Sequence, residues 1–144
     1  MASGIYNRGL YEIASDGTGL STSTLKVMLL NASHSFNRDH NFVSDIVANE
    51  ITAAGYTRKT LSSPAFTEDD AADCAYFDMA DPSWSGVTGS ETAAHAVVFR
   101  DTGADATSPL IGSWALVPYD VSANGGANSL PWNSNGLIKF TSAT

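Results

Sequence analysis

The chain has 144 residues, 43% of them hydrophobic and only 15% charged, and its seven Lys and Arg against fifteen Asp and Glu give a formal charge of −8. A chain of this length suits a single domain, residues 1–144, with a core that buries about 68–70% of the unfolded surface. The acidic balance repels a phosphate backbone at long range, so nucleic acid is not an expected partner.

The charged fraction lies below the roughly 25% of ordinary soluble domains. Ser, Thr, Asn and Gly fill the gap, and these residues favour turns and pleated surfaces over helices. In chain order, Ile5, Tyr6, Gly9, Leu10 and Ile13 fall along one edge at helical spacing and predict a short helix over residues 3–14, ended by Gly17 and Gly19. Residues 24–30 alternate at first and then become continuously apolar, as a strand does on entering a core. Between 36 and 48, Phe36, Phe42-Val43 and Ile46-Val47 stand three or four apart among polar residues, which reads as a second short, irregular helix.

Residues 56–61 predict a strand whose continuation Pro64 limits to an edge or a turn. Residues 68–73 read as an acidic loop, and 74–79 have strand composition. The strongest strands are 94–100 and 110–117, joined through the Thr-Gly-Ala-Asp of 102–105 into an expected antiparallel hairpin. After a Gly/Ser/Thr-rich loop at 81–92 and a turn at 123–126, short strands are expected around 129–132 and 137–141. Six or seven short strands and one or two small helices predict a mainly β fold, an antiparallel sandwich or barrel-like domain.

No constellation for catalysis stands out. Asp69, Asp70, Asp73, Asp78 and Asp81 gather carboxylates, but the turn glycine of a spaced calcium loop is missing, and a solvated acidic loop is the expectation. His34, Asp39, His40 and His95 lack a familiar zinc spacing, so neither metal nor cofactor is expected. Ser85, Ser90 and Ser113 sit outside any Gly-x-Ser-x-Gly elbow. Cys74 is the one cysteine, which excludes a disulfide within the chain, and its flanks suggest a buried small hydrophobe. Arg58 and Lys59 are the only adjacent cations and read as a solvated strand end.

The N-terminus lacks the apolar core of a secretory signal, and no run approaches the roughly 20 apolar residues of a membrane helix, so folding in cytoplasm without a membrane partner is expected. Among the tryptophans, Trp114 is flanked by apolar strand residues and reads as core. Trp84 and Trp132 follow Pro82-Ser83 and Pro131 in loop-like settings and are the candidate partner contacts.

Taken over most of its length, the chain resembles a family of small virion structural proteins of tailed bacteriophages. The blocks that carry the resemblance are Thr24-Leu25-Lys26-Val27-Met28-Leu29-Leu30, Ser35-Phe36-Asn37-Arg38-Asp39-His40-Asn41-Phe42, Gly55-Tyr56-Thr57-Arg58-Lys59-Thr60-Leu61 and Trp84-Ser85-Gly86-Val87-Thr88. The most characteristic is Ala96-Val97-Val98-Phe99-Arg100-Asp101-Thr102-Gly103, continuing from Ala106 to Ile111. The chain departs from the pattern at Asn7–Glu12, where the family's first helix is more apolar, and at Val117–Val121, where its connection is simpler. The resemblance implies a capsid decoration (cement) protein on the virion surface, assembled in the host bacterial cytoplasm, with the major capsid protein as partner, self-association as a homotrimer, and no enzymatic activity. Alternatives left open are a tail or neck component and a carbohydrate- or receptor-binding module.

Overall fold

The apolar runs become the middle of the largest sheet. In the computed structural model, which describes residues 3–15, 19–89, 91–121, 127–133 and 136–141, the order is β1 (Gly4–Ile5), α1 (Asn7–Ser15), α2 (Gly19–Thr22), β2 (Leu25–Leu30), β3 (Lys59–Thr60), β4 (Ala65–Asp69), β5 (Cys74–Asp78), β6 (Ser83–Trp84), β7 (Thr92–Arg100), β8 (Leu110–Asp120), β9 (Asn128–Ser129) and β10 (Ile138–Thr141). A five-stranded sheet runs β1-β8-β7-β2-β3, a three-stranded sheet β10-β5-β4, and β6 pairs with β9, every pairing antiparallel. The fold is mainly β and sandwich-like, as the sequence predicts.

Alternation along the central strands explains the layers. Val27, Leu29, Ala96 and Val98 face a main core shared with Phe77 and Ile138 of the three-stranded sheet, with Met79 just beyond β5, and with Trp84. Their neighbours Met28, Leu30, Val97 and Phe99 face the opposite side, where Tyr6, Val43, Ile46 and Leu110 complete a second cluster. Both faces of β2 and β7 are therefore covered, which is why they read as near-continuous apolar runs. Each large side chain removed from water in this way contributes about 1.5–3 kcal/mol.

The expected hairpin forms, with Val97 opposite Ser113 and His95 opposite Ala115. Its connection is closed by hydroxyls: Ser108 Oγ donates to the Ala104 carbonyl (2.8 Å) and accepts from the Thr102 amide (3.1 Å). β8 extends three residues beyond the predicted end at 117.

Several expectations are corrected. The predicted helix over 3–14 divides into β1 and α1, and Gly19 opens α2 instead of ending a helix; Gly17 and the turn at 123–126 lie outside the described residues. Leu10 does not belong to the buried edge of α1, which is formed by Gly9 and Glu12. The segment 36–48 is not a helix but an extended stretch followed by two single 3-10 turns, Val43–Asp45 and Val47–Asn49. There the Asp45 carboxylate accepts the amides of Asn41 (2.8 Å) and Phe42 (3.0 Å), drawing the backbone away from α-helical bonding. Of the predicted strand 56–61 only Lys59–Thr60 pairs, because its residues are held instead by an ion-pair cluster described below. The acidic loop at 68–73 begins as strand, since Glu68 and Asp69 belong to β4. The last two predicted strands do not pair with each other, as β9 joins β6 and β10 joins β5.

Candidate functional site

The three-stranded sheet covers the core with β5 and β10 and leaves its edge strand β4 exposed. Its cross-strand rows show this: Phe66, Phe77 and Ile138 are in register, then Glu68, Ala75 and Phe140, then the turn beyond Asp69 and Cys74. Phe77 and Ile138 are buried in the main core, while Phe66 at the edge is 52% exposed although its ring lies 4.8 Å from that of Phe77. In the next row Phe140 is half-buried against the core, while Glu68 at the edge is exposed. Phe66, Ala75 and Phe140 line a groove of about 890 Å³, with Glu68, Asp69, Asp70 and Asp73 around it.

Local chemistry builds the hairpin. Ser63 (φ 56°) turns the chain ahead of Pro64, and Asp69 Oδ1 accepts the Ala72 amide at 3.1 Å, an Asx contact that closes the loop between β4 and β5. Asp73 takes a left-handed conformation (φ 49°), which a short polar side chain tolerates. Ala65 to Glu68 are exposed, and within the described residues β4 has no partner other than β5. The four carboxylates of the groove make no ion pair among the described residues. Lys139 lies on the other face of the sheet, its ammonium 5.7 Å from the Tyr76 ring centroid.

The aspartates singled out in the sequence are only partly brought together. Asp69, Asp70 and Asp73 line the groove, whereas Asp78 stands opposite Ala65 with one carboxylate oxygen buried and unpartnered, and Asp81 accepts the Trp132 amide at 2.8 Å. Among the described residues no group of three or more His, Cys, Asp and Glu is placed to hold a metal ion. Cys74 is free and buried, as expected.

Trp84 is not a surface ring. It is 1% exposed, donates its indole N–H to the Thr57 carbonyl at 2.8 Å and stacks with Tyr56 at 6.3 Å, so the candidate contact is a core residue. Trp132 is half-buried against Trp114, their centroids 5.9 Å apart, and Trp114, expected in the core, is itself only half-buried. Arg58 is no solvated strand end either: its guanidinium is bonded to both Glu50 (2.7 Å) and Asp105 (2.6 Å) and lies over the Phe99 ring. Glu50 also accepts the Tyr56 hydroxyl, which accepts the Leu29 amide, so the cluster ties β2 to two loops. These carboxylates hold the Arg58 guanidinium well above its ordinary value.

One cluster escaped the sequence reading. His34 and His95, distant in the chain, meet edge to face with centroids 4.9 Å apart, 5% and 1% exposed. His34 Nε2 and both ring nitrogens of His95 are buried without a hydrogen-bond partner. Burial, reinforced by the neighbouring His95 and His40, lowers the His34 pKa to about 4, and burial also lowers that of His95. Both rings are neutral at neutral pH. Ser113, one step diagonal from His95 on the same face, is likewise buried with its hydroxyl unpartnered. Ser85 is exposed, and Ser90 lies outside the described residues.

Other exposed large apolar side chains are Leu10 and Tyr11 on α1 and Val117 on β8. Among the described residues no helix is long and apolar enough to cross a membrane. No family model, no curated protein and no solved structure matches the chain.

Proposed function

We propose that this chain is a capsid decoration protein of a tailed bacteriophage that docks on the outer lattice of the major capsid protein and stabilises the head. The observation that carries the reading is the β10-β5-β4 sheet, whose edge strand and adjoining groove of aromatic and acidic side chains are open to another polypeptide. An exposed edge of this kind supports attachment to protein, and attachment repeated over a symmetric lattice gains avidity without requiring tight single contacts.

The blocks that carry the family resemblance support the same reading by their position. Thr24–Leu30 and Ala96–Ile111 build β2 and the β7–β8 hairpin, the shared frame, whereas the departures at 7–12 and 117–121 hold the exposed Leu10, Tyr11 and Val117. Trimerisation, with three copies gripping a junction between capsid subunits, belongs to this proposal.

Add-back tests it: heads made without the gene are mixed with the purified chain, sedimented, and heated. Co-sedimentation in proportion to capsid protein, with a raised disruption temperature, is the expected result. Purified chain that stays in the supernatant overturns the proposal, and binding confined to tails or necks assigns it to the tail or neck component instead.

A further inference from the structure

We infer that β4 and the groove beside it take up an extended, Lys- or Arg-bearing segment of the partner protein as an added strand. The inference rests on reading this sheet as the docking face, and it specifies what the sheet receives. β4 is five residues long, about 17 Å at the usual strand rise, and Ala65 to Glu68 are exposed. An edge strand left open presents unpaired amides and carbonyls, a template for strand addition.

Side chains of an added strand alternate between the two faces of the sheet. Those on the groove side meet Phe66 and Glu68, with Ala75 and Phe140 behind them. Those on the opposite face meet Thr67 and Asp69, around which the groove also extends. The groove is open along its length, and Phe66, half exposed, offers it an aromatic ring.

Charge selects the occupant. Glu68, Asp69, Asp70 and Asp73 crowd one end of the hairpin, and among the described residues they make no ion pair and no Lys, Arg or His lines the groove. A second copy of this chain is disfavoured, because antiparallel pairing of two β4 strands centred on Thr67 sets Glu68 opposite Phe66 and Asp69 opposite Ala65, and supplies four carboxylates with no cation to match them. The same carboxylates attract a cationic strand, steering its approach and fixing its register.

The test uses the full chain and a synthetic probe, the peptide Lys-Val-Lys-Val-Lys-Val-Lys, with a control in which Glu replaces every Lys. Expected are binding of the cationic peptide alone, hydrogen-exchange protection at 65–69, and loss of affinity as salt rises from about 0.05 to about 0.5 M. The exposed double variant Glu68→Lys/Asp70→Lys should bind the cationic peptide about tenfold more weakly and gain binding of the acidic control. Failure of the wild type to bind the cationic peptide, protection at another strand, unchanged affinity in the double variant, or self-association through β4 would each overturn the inference. Exchange on the wild type decides the matter even if the variant does not fold. The head add-back separates the two levels: a double variant that docks on heads as well as the wild type removes β4 as the docking strand and leaves the capsid reading standing. Peptide binding by a wild-type chain that ignores heads does the reverse.

Discussion

Gly9→Ala reverses the sign that helix propensity assigns to it. In an exposed helix interior, Ala in place of Gly stabilises by about 1 kcal/mol. Here α1 lies directly on β8, and a Cβ at Gly9 would fall within contact distance of the Ile111 carbonyl oxygen and 2.9 Å from both the Ile111 carbonyl carbon and its Cα. These are backbone atoms, so no rotamer change relieves the overlap, and α1 has to lift off the sheet. Overpacking of this kind costs about 1–3 kcal/mol. Lifting also strains the Tyr6 amide bond to the Ile111 carbonyl (3.1 Å), worth about 0.5–1.5 kcal/mol. Against the propensity gain, the net change is a loss of about 1–3 kcal/mol, or several degrees in Tm for a domain of this size. Urea denaturation of wild type and variant measures it, with an unchanged m value showing that only stability has moved. Gly86→Ala is the companion, since Gly86 has open space around it but a φ of +71°, so its loss reports backbone strain without overlap. A Gly9→Ala protein as stable as the wild type, or more so, would refute the close approach of α1 to β8.

Trp84→Phe should lower stability by about 2–3 kcal/mol, because it shrinks a buried ring and leaves the Thr57 carbonyl without its indole donor. Docking to heads should be unaffected; a folded variant that no longer docks would show that the ring makes contact after all. Acid should weaken the fold through the histidine pair. Above pH 6.5 the rings are neutral in both states, whereas between 6.5 and about 4 the unfolded chain takes up a proton that buried His34 refuses. Stability therefore falls as pH falls across that window, by about 3 kcal/mol from His34, with a further loss from His95. The hydrogen-bonded Asp45, Asp101 and Asp105, whose pKa values lie below the ordinary carboxylate range, lose their contribution only at lower pH. Urea midpoints taken through the window should slope in the wild type and flatten in His34→Leu/His95→Leu, whatever that variant's baseline; a flat wild-type profile contradicts the buried neutral pair.

What the sequence revealed follows from which physical signals are local. β2 and β7 are legible because strands covered on two faces carry an unmistakable apolar run, and β8 follows because its apolar start and the turn chemistry of the loop from β7 mark the hairpin. The segment 36–48 misled because a 3-10 turn also sets residues three apart on one side: Val43 and Ile46 are both buried through 3-10 geometry. β4 was hidden for the opposite reason. An edge strand exposed on both faces needs no apolar alternation, so Glu68 and Asp69 looked like loop.

The site was legible only in its acidic half. Asp69, Asp70 and Asp73 were picked out by composition, but the apolar half comes from Phe66 and Phe140, more than seventy residues apart and joined only through β5. Trp84 was misjudged because its indole partner, Thr57, lies on a distant segment, and nothing near Pro82 signals that bond. The meeting of His34 with His95 is equally non-local.

Cryo-electron microscopy of intact particles tests the central claim most directly. The account expects density for this chain repeated over the outer head surface in fixed ratio to the major capsid protein, with the β4–β5 hairpin facing the lattice. Heads bare of it, or a handful of copies at the neck or tail, would contradict the account.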